Sequence, residues 1–270
     1  MIRLIPQLAA QAAEGEGFPF HAPDAGHLFN YAPLFDGAPG WLTYPMVMLV
    51  VVTLLLVAFF TRAFRAPKVV PTGAQNLGEA GIEFVEKQIV FPVLGHAGKG
   101  WMPFLTAMFF WVFFLNIMGI IPAVQFPITS RMAIPATLAI IVWFIYNGIG
   151  IKNQGFIGYF KNMMFPPGVP KFVYPILAPI EFFSTVIFRP LTLALRLFAN
   201  MVAGHMLLAV IAIASMVFVN GNWMGWVGSV VPIAFGVIMT GFEIFVAFMQ
   251  AFIITILTSV YISGAQEAHH

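Results

Sequence analysis

The chain has 270 residues, of which 60% are hydrophobic and only 8% charged, with a net charge of +2. A soluble domain carries about 25% charged residues, so this composition describes an all-α membrane protein with several spans, and it gives no reason to expect a nucleic-acid partner. The absence of cysteine removes disulfides, thiolate metal sites, iron–sulfur clusters and a cysteine nucleophile.

Residues 1–41 hold Glu14, Glu16, Asp24 and Asp36 against a single base, Arg3, among many Pro and Gly, and read as a polar, loop-rich segment. Its beginning, MIRLIPQLAAQAAEG, has the base-then-apolar order of a secretory signal. Pro6 and Gln7 cut the apolar stretch short, so the segment is expected to stay attached. Residues 42–60, LTYPMVMLVVVTLLLVAFF, carry no charge and are long enough to cross a bilayer. Arg62, Arg65 and Lys68 follow at once. Basic residues gather on the cytoplasmic side, so the helix 42–66 is expected to end inside, with the N-terminus outside.

The segment 67–100 contains NLGEAGIEFVEKQIVF, residues 76–91. Asn76 followed three residues later by Glu79 has the spacing of a capping box. Glu83 and Lys87 form an i,i+4 pair. Leu77, Phe84, Val85 and Ile89 can share much of one face. An amphipathic helix at the cytoplasmic interface, or packed on its neighbours, is the expectation. Residues 101–122 and 132–151 read as the next two spans, a hairpin over 101–151. The connection between them holds one base, Arg131, whereas the loop 152–173 holds Lys152, Lys161 and Lys171. The first is therefore expected outside and the second inside.

From Tyr174 to Val219 the chain is almost continuously helix-compatible, interrupted mainly by Pro175, Pro179 and Pro190. Such a run measures roughly 65–70 Å, against a hydrocarbon core of about 30 Å. A second run, Val227–Ser263, measures roughly 55 Å, and NGNW at 220–223 reads as the turn between them. A hairpin of such helices over 174–263 must tilt strongly, break at proline, or both; the tail 264–270 then lies in the cytoplasm. This hairpin holds most of the polar residues at membrane depth: Glu181, Arg189, Arg196, Asn200 and His205 on its first arm, Glu243 and Gln250 on its second. The Ser and Thr residues there are expected to bond their own backbone. Arg189 suits a snorkelling position near the lysine loop. Asn200 and Gln250 suit helix pairing as well as a pathway.

Arg196 is harder to account for. It lies seven residues past Arg189, about 10 Å further along the helix, among apolar neighbours. It stays protonated, and a buried cation needs a counter-charge. At comparable depth the chain offers only Glu181 and Glu243, neither an obvious fixed partner, so a partner on another protein is expected. Asn200 at i+4 lies on the same face and can orient the guanidinium.

At RLFANMVAGH, Arg196–His205, the sequence resembles the signature of subunit a of F-type ATP synthases; RPLTLAL before it and QAFIITILTSVYIS, Gln250–Ser263, resemble the last two helices of that family. The resemblance implies a stator beside a ring of c subunits, held by peripheral-stalk b subunits and the rest of the complex. Two offset half-channels would carry protons to and from the rotor carboxylates, most readily in a bacterial plasma membrane. It implies that Arg196 faces the passing carboxylate, favours its ionised form and separates the half-channels. The physics agrees, since a cation within about 4–6 Å lowers a carboxylate's pKa. Asn200, His205, Glu243 and Gln250 carry over as pathway residues. His205 and Glu243 stand where many relatives have Glu and His, so a His–carboxylate relay is kept in exchanged order. Glu181 lies fifteen residues before Arg196, where relatives often place an acid about fourteen before; one residue turns a helical position by about 100°.

Two other classes fit less well. A haem protein needs paired histidines at membrane depth, and of His21, His27, His96, His205, His269 and His270 only His205 lies in a span. A secondary transporter would show repeated broken helices in its two halves, and no such repeat is visible. No GxxxxGK[ST] phosphate loop is present, so nucleotide chemistry is expected in partner subunits, with no cofactor, metal or catalytic site in this chain.

Overall fold

The structure, a computed structural model, describes residues 43–121, 128–165, 171–219 and 223–266, with the side chains of 171, 216–219 and 223–228 set aside. The N-terminal segment 1–41, most of the turn NGNW and the last four residues of the tail lie outside this set. Within it the regular structure is helical: α1 (Tyr44–Ala63), α2 (Ala74–Val85), α3 (Phe91–Leu94), α4 (Met102–Ile120), α5 (Ala133–Gln154), α6 (Phe156–Met164), α7 (Tyr174–Phe183), α8 (Arg189–Val219) and α9 (Trp223–Gln266). Short π-turns, Glu86–Val90 and Ser184–Phe188, join α2 to α3 and α7 to α8. Five helices are long and apolar enough to cross a membrane, the last two being Tyr174–Ser215 and Ser229–Gln266. The sequence expects the same five spans.

Proline marks where these helices begin. Pro45, Pro103 and Pro175 each occupy the second position of a helix, where the missing N–H is one of those the ladder does not use. Of the two expected accommodations, tilt or a break at proline, the chain does not break at Pro179 or Pro232, which lie inside α7 and α9. The 44 residues of α9 run on as one helix, about 66 Å long.

The chain divides into two compact units. The first comprises the start of α1, residues 114–131, the 199–219 part of α8 and the 223–248 part of α9. Arg131 Nη1 donates to Thr43 Oγ1 at 2.8 Å, and the buried pair Thr129–Asn116 is bonded at 3.1 Å.

The second unit comprises residues 51–113, 132–198 and 249–266. It holds every described lysine and arginine except Arg131. Its core is built on Val85, Ile89, Leu105, Val112, Val142 and Ile254, with Phe84 set between Phe109 and Phe252. The amphipathic helix is therefore packed inward through Phe84, Val85 and Ile89. Leu77 departs from that face and is exposed. The helix also begins earlier than its capping signature predicts. Gly73, at φ +60°, turns the chain so that α2 starts at Ala74 with no side-chain cap. Glu79 instead accepts from Gln75 Nε2 at 2.7 Å. The Gln75 carboxamide also bonds both the N–H and the C=O of Lys68, at 3.0 Å each, which closes the loop after α1. Glu83 and Lys87 pair as expected.

The segment 152–173 is less of a loop than the sequence predicts. Gly155, at φ +73°, ends α5 with its N–H on the carbonyl of Ile151 and opens α6 directly. Gly150 lets the Tyr159 ring of α6 lie against α5, where its hydroxyl donates to Asn147 Oδ1 at 3.0 Å.

Candidate functional site

In the first unit three helices meet around a cavity of about 190 Å³, its wall mainly apolar but carrying Asn116 from α4, Asn200 from α8 and Glu243 from α9. Glycines let the polar side chains in. A β-carbon added at Gly204 would stand 2.6 Å from Glu243 Oε1, and one at Gly119 would stand 2.5 Å from His205 Nε2. Glu243 thus lies on the backbone next to His205, and the imidazole of His205 lies on the backbone of α4. Both glycines hold space that any other residue would fill.

The electrostatics of the cavity are unbalanced. Both carboxyl oxygens of Glu243, Nε2 of His205 and Nδ2 of Asn116 are buried without a hydrogen-bond partner in the protein. Native structures seldom leave such groups unmet, and ordered water is the usual partner when the site is polar and roomy. The cavity can therefore hold water between the carboxyl of Glu243 and the carboxamide of Asn116. His205 and Glu243 form no direct ion pair among the described residues. Asn116 was not singled out from the sequence. The only signal is a lone carboxamide in the apolar run FFLNIMGI.

The second unit holds Arg196 and Gln250. Arg196 stands on the exposed face of α8 with Thr192 and Leu195, while Leu193, Ala194 and Leu197 are buried. Among the described residues it makes no ion pair and no hydrogen bond. Gln250 Oε1 is buried without a partner.

The same unit carries a second polar cavity of about 260 Å³, lined by Glu181 and Arg189 together with Tyr146, Gln154, Tyr159 and Tyr261. Glu181 and Arg189 share this cavity without pairing. The Arg189 guanidinium stacks on Tyr261, 5.2 Å from the ring centre, rather than snorkelling freely. Tyr159 has its pKa raised by burial, against the opposing pull of Arg189. As expected, hydroxyls along the long helices bond their own backbone: Thr192 to Phe188 O, Thr240 to Gly236 O, Thr255 to Ala251 O and Thr258 to Ile254 O, at 2.7–2.8 Å. No group of His and acidic residues able to hold a metal ion occurs among the described residues.

Comparison with known proteins gives one result. The family model described as ATP synthase A chain matches residues 46–263. The chain is 40% identical to ATP synthase subunit a of Streptomyces lividans, over 95% of this chain and 91% of the relative. It is 45% identical to ATP synthase subunit a of Parafrankia sp. (strain EAN1pec), over 81% and 74%. It is 37% identical to that of Magnetococcus marinus, over 83% of each.

Proposed function

Because the chain belongs to the ATP synthase A-chain family, subunit a, we propose that it conducts protons through the membrane sector of an ATP synthase as the stator beside a rotating c-ring. Its carrying observation is Arg196: a permanently charged side chain on an exposed face of a membrane helix, with no partner among the described residues. A carboxylate passing on a rotor subunit supplies that partner. Near the guanidinium the carboxylate is favoured in its ionised form, so it releases one proton and must collect another before it re-enters lipid. An arginine that never deprotonates blocks direct transfer between the two routes.

The cavity of the first unit supports an entry route on the outer side, with Asn116, Asn200 and Glu243 on its wall and His205 next in the chain to Gly204 of that wall. An imidazole can accept a proton at one nitrogen and release one from the other, which suits a relay. Gln250 serves the second unit beside the rotor. The cavity with Glu181 and Arg189 suits the cytoplasmic exit. The bases just after α1 and in the segment 152–173 support a cytoplasmic position for those connections and an N-terminus outside. The matched relatives are bacterial, which supports the plasma membrane. The chain makes and breaks no covalent bond; nucleotide chemistry belongs to other subunits, to which this one is tied through the c-ring and the peripheral-stalk b subunits.

The test is ATP-driven pumping into inverted vesicles. Arg196→Lys and Arg196→Ala complexes assemble and do not pump, and Arg196→Ala also leaks passively. Normal pumping by assembled Arg196→Ala complexes removes the assignment.

A further inference from the structure

Pro190 has no amide hydrogen, so the helical ladder loses a donor where α7 passes into α8. The carbonyl of Val186, four residues earlier, goes without its bond. The ladder also changes step there. At the end of the π-turn Ser184–Phe188, the amide of Arg189 reaches back five residues to the carbonyl of Ser184 and passes over that of Thr185. Two consecutive carbonyls are thus released, and side chains of α5 take both. The indole Nε1 of Trp143 donates to Val186 O at 2.9 Å, and the hydroxyl of Tyr146 donates to Thr185 O at 2.7 Å. Trp143 and Tyr146 are three residues apart, neighbours on one face of α5. Tyr261 completes the cluster, 5.6 Å from the Tyr146 ring and beneath Arg189. An unmet carbonyl is costly at membrane depth, so these two bonds decide whether the π-turn persists.

A π-turn takes up one residue more than the α-helix, so the helix beyond it is set back by one position, about 100° of rotation. Arg196 lies within two turns of it. Without the π-turn, each later residue moves into the place now held by its successor. Arg196 enters the buried place of Leu197, and Leu195 takes the exposed place of Arg196. Thr192 turns inward to the place of Leu193, and Ala194 turns outward to that of Leu195.

We propose that Trp143 and Tyr146 are positioning residues: by holding the carbonyls of Val186 and Thr185 they maintain the π-turn, and the π-turn sets Arg196 on the exposed face of α8. The functional consequence rests on the role of Arg196 opposite a rotor carboxylate; the conformational claim does not. Since the chain has no cysteine of its own, single cysteines at 192 and 194 report the rotation directly, through labelling of the full chain in proteoliposomes by a lipid-soluble maleimide. In the otherwise unmodified chain, and with Pro190→Ala, the cysteine at 192 labels and that at 194 does not, because the clamp still holds. With Pro190→Ala, Trp143→Phe and Tyr146→Phe together, nothing retains the π-turn and the preference inverts. Unchanged preference in that triple variant overturns the proposal. Should the triple variant not insert, Trp143→Phe and Tyr146→Phe singly must erode the contrast between 192 and 194, and full contrast in both overturns it equally. In assembled complexes the triple variant does not pump, and moving the charge back one place, by Leu195→Arg with Arg196→Leu, restores part of the pumping. Failure of the Arg196 reading is seen separately, as normal pumping by Arg196→Ala in the unmodified background, and leaves the labelling result standing.

Discussion

Glu243 lies so close to Gly204 that a β-carbon on the glycine would stand 2.6 Å from its Oε1. The atom in the way is the end of a flexible side chain, so Gly204→Ala moves the carboxyl rather than the helices. Stability falls by about 1 kcal/mol or less, the mild end of overpacking. Proton flux falls far more, by about tenfold to a hundredfold, because a displacement of roughly an ångström spoils a transfer geometry. Thermal unfolding of the purified subunit and flux through assembled complexes measure the two separately.

Gly119→Ala acts likewise on His205, whose Nε2 would meet the new carbon at 2.5 Å, with Met201 Cε at 2.4 Å. Flux drops in the otherwise unmodified chain. In a His205→Ala background the same substitution changes flux no further, since the two sites are coupled through one contact. Additive losses measured in that cycle would mean that Gly119 acts through something other than the imidazole.

Replacing Glu243 by Gln keeps size and hydrogen bonding but cannot titrate. The Glu243→Gln complex assembles and conducts slowly at every pH tested. Exchanging the two types, His205→Glu with Glu243→His, restores part of the flux, because the pair again comprises one imidazole and one carboxyl. Full flux in Glu243→Gln takes Glu243 out of the pathway.

Gly150 offers a contrast. There a β-carbon would stand 2.2 Å from the ring of Tyr159, and a ring wedged between two helices cannot bend away. Gly150→Ala destabilises by about 1–3 kcal/mol, while Tyr159→Phe, which loses only the bond to Asn147, costs about 1 kcal/mol. Denaturation of the purified subunit in detergent ranks the two, and the reverse order would contradict the packing of α6 on α5.

A cysteine added after His270 tests the direction of the chain. Five crossings and an outer N-terminus put it in the cytoplasm. It resists an impermeant thiol reagent in intact cells and reacts in inverted vesicles. Labelling from outside reverses the topology and with it the assigned direction of each route.

The spans were legible because each is a long uncharged run, and Arg196 because no soluble-protein logic accommodates it. The rest was hidden for identifiable reasons. Helix α6 is only nine residues long and follows a glycine with positive φ, so periodicity had little to act on. The cavity gathers Asn116, Asn200 and Glu243 from three helices far apart in sequence, and its space is made by two glycines that carry no pattern of their own. The π-turn at Ser184–Phe188 depends on donors about forty residues upstream in α5. Proline flagged the place, and the chain supplied a change of step where a break was expected. The capping signature at Asn76 misled because Gly73 and the Gln75 carboxamide settle the start of α2 by another route.

The pocket beside Gly204, with a carboxyl and two carboxamides in its wall, also bears on how voltage is shared across the bilayer. Water and titratable groups polarise far more readily than hydrocarbon, so a potential applied across the membrane falls little within such a pocket and steeply over the dry path that remains. A proton arriving at Glu243 has then done less of its electrical work than its depth alone would require. About 2.3 kcal/mol per charge for each 100 mV is left for the remaining steps. To those steps a voltage and a difference in proton concentration become interchangeable, since the pocket turns the first into a raised local proton activity at its floor.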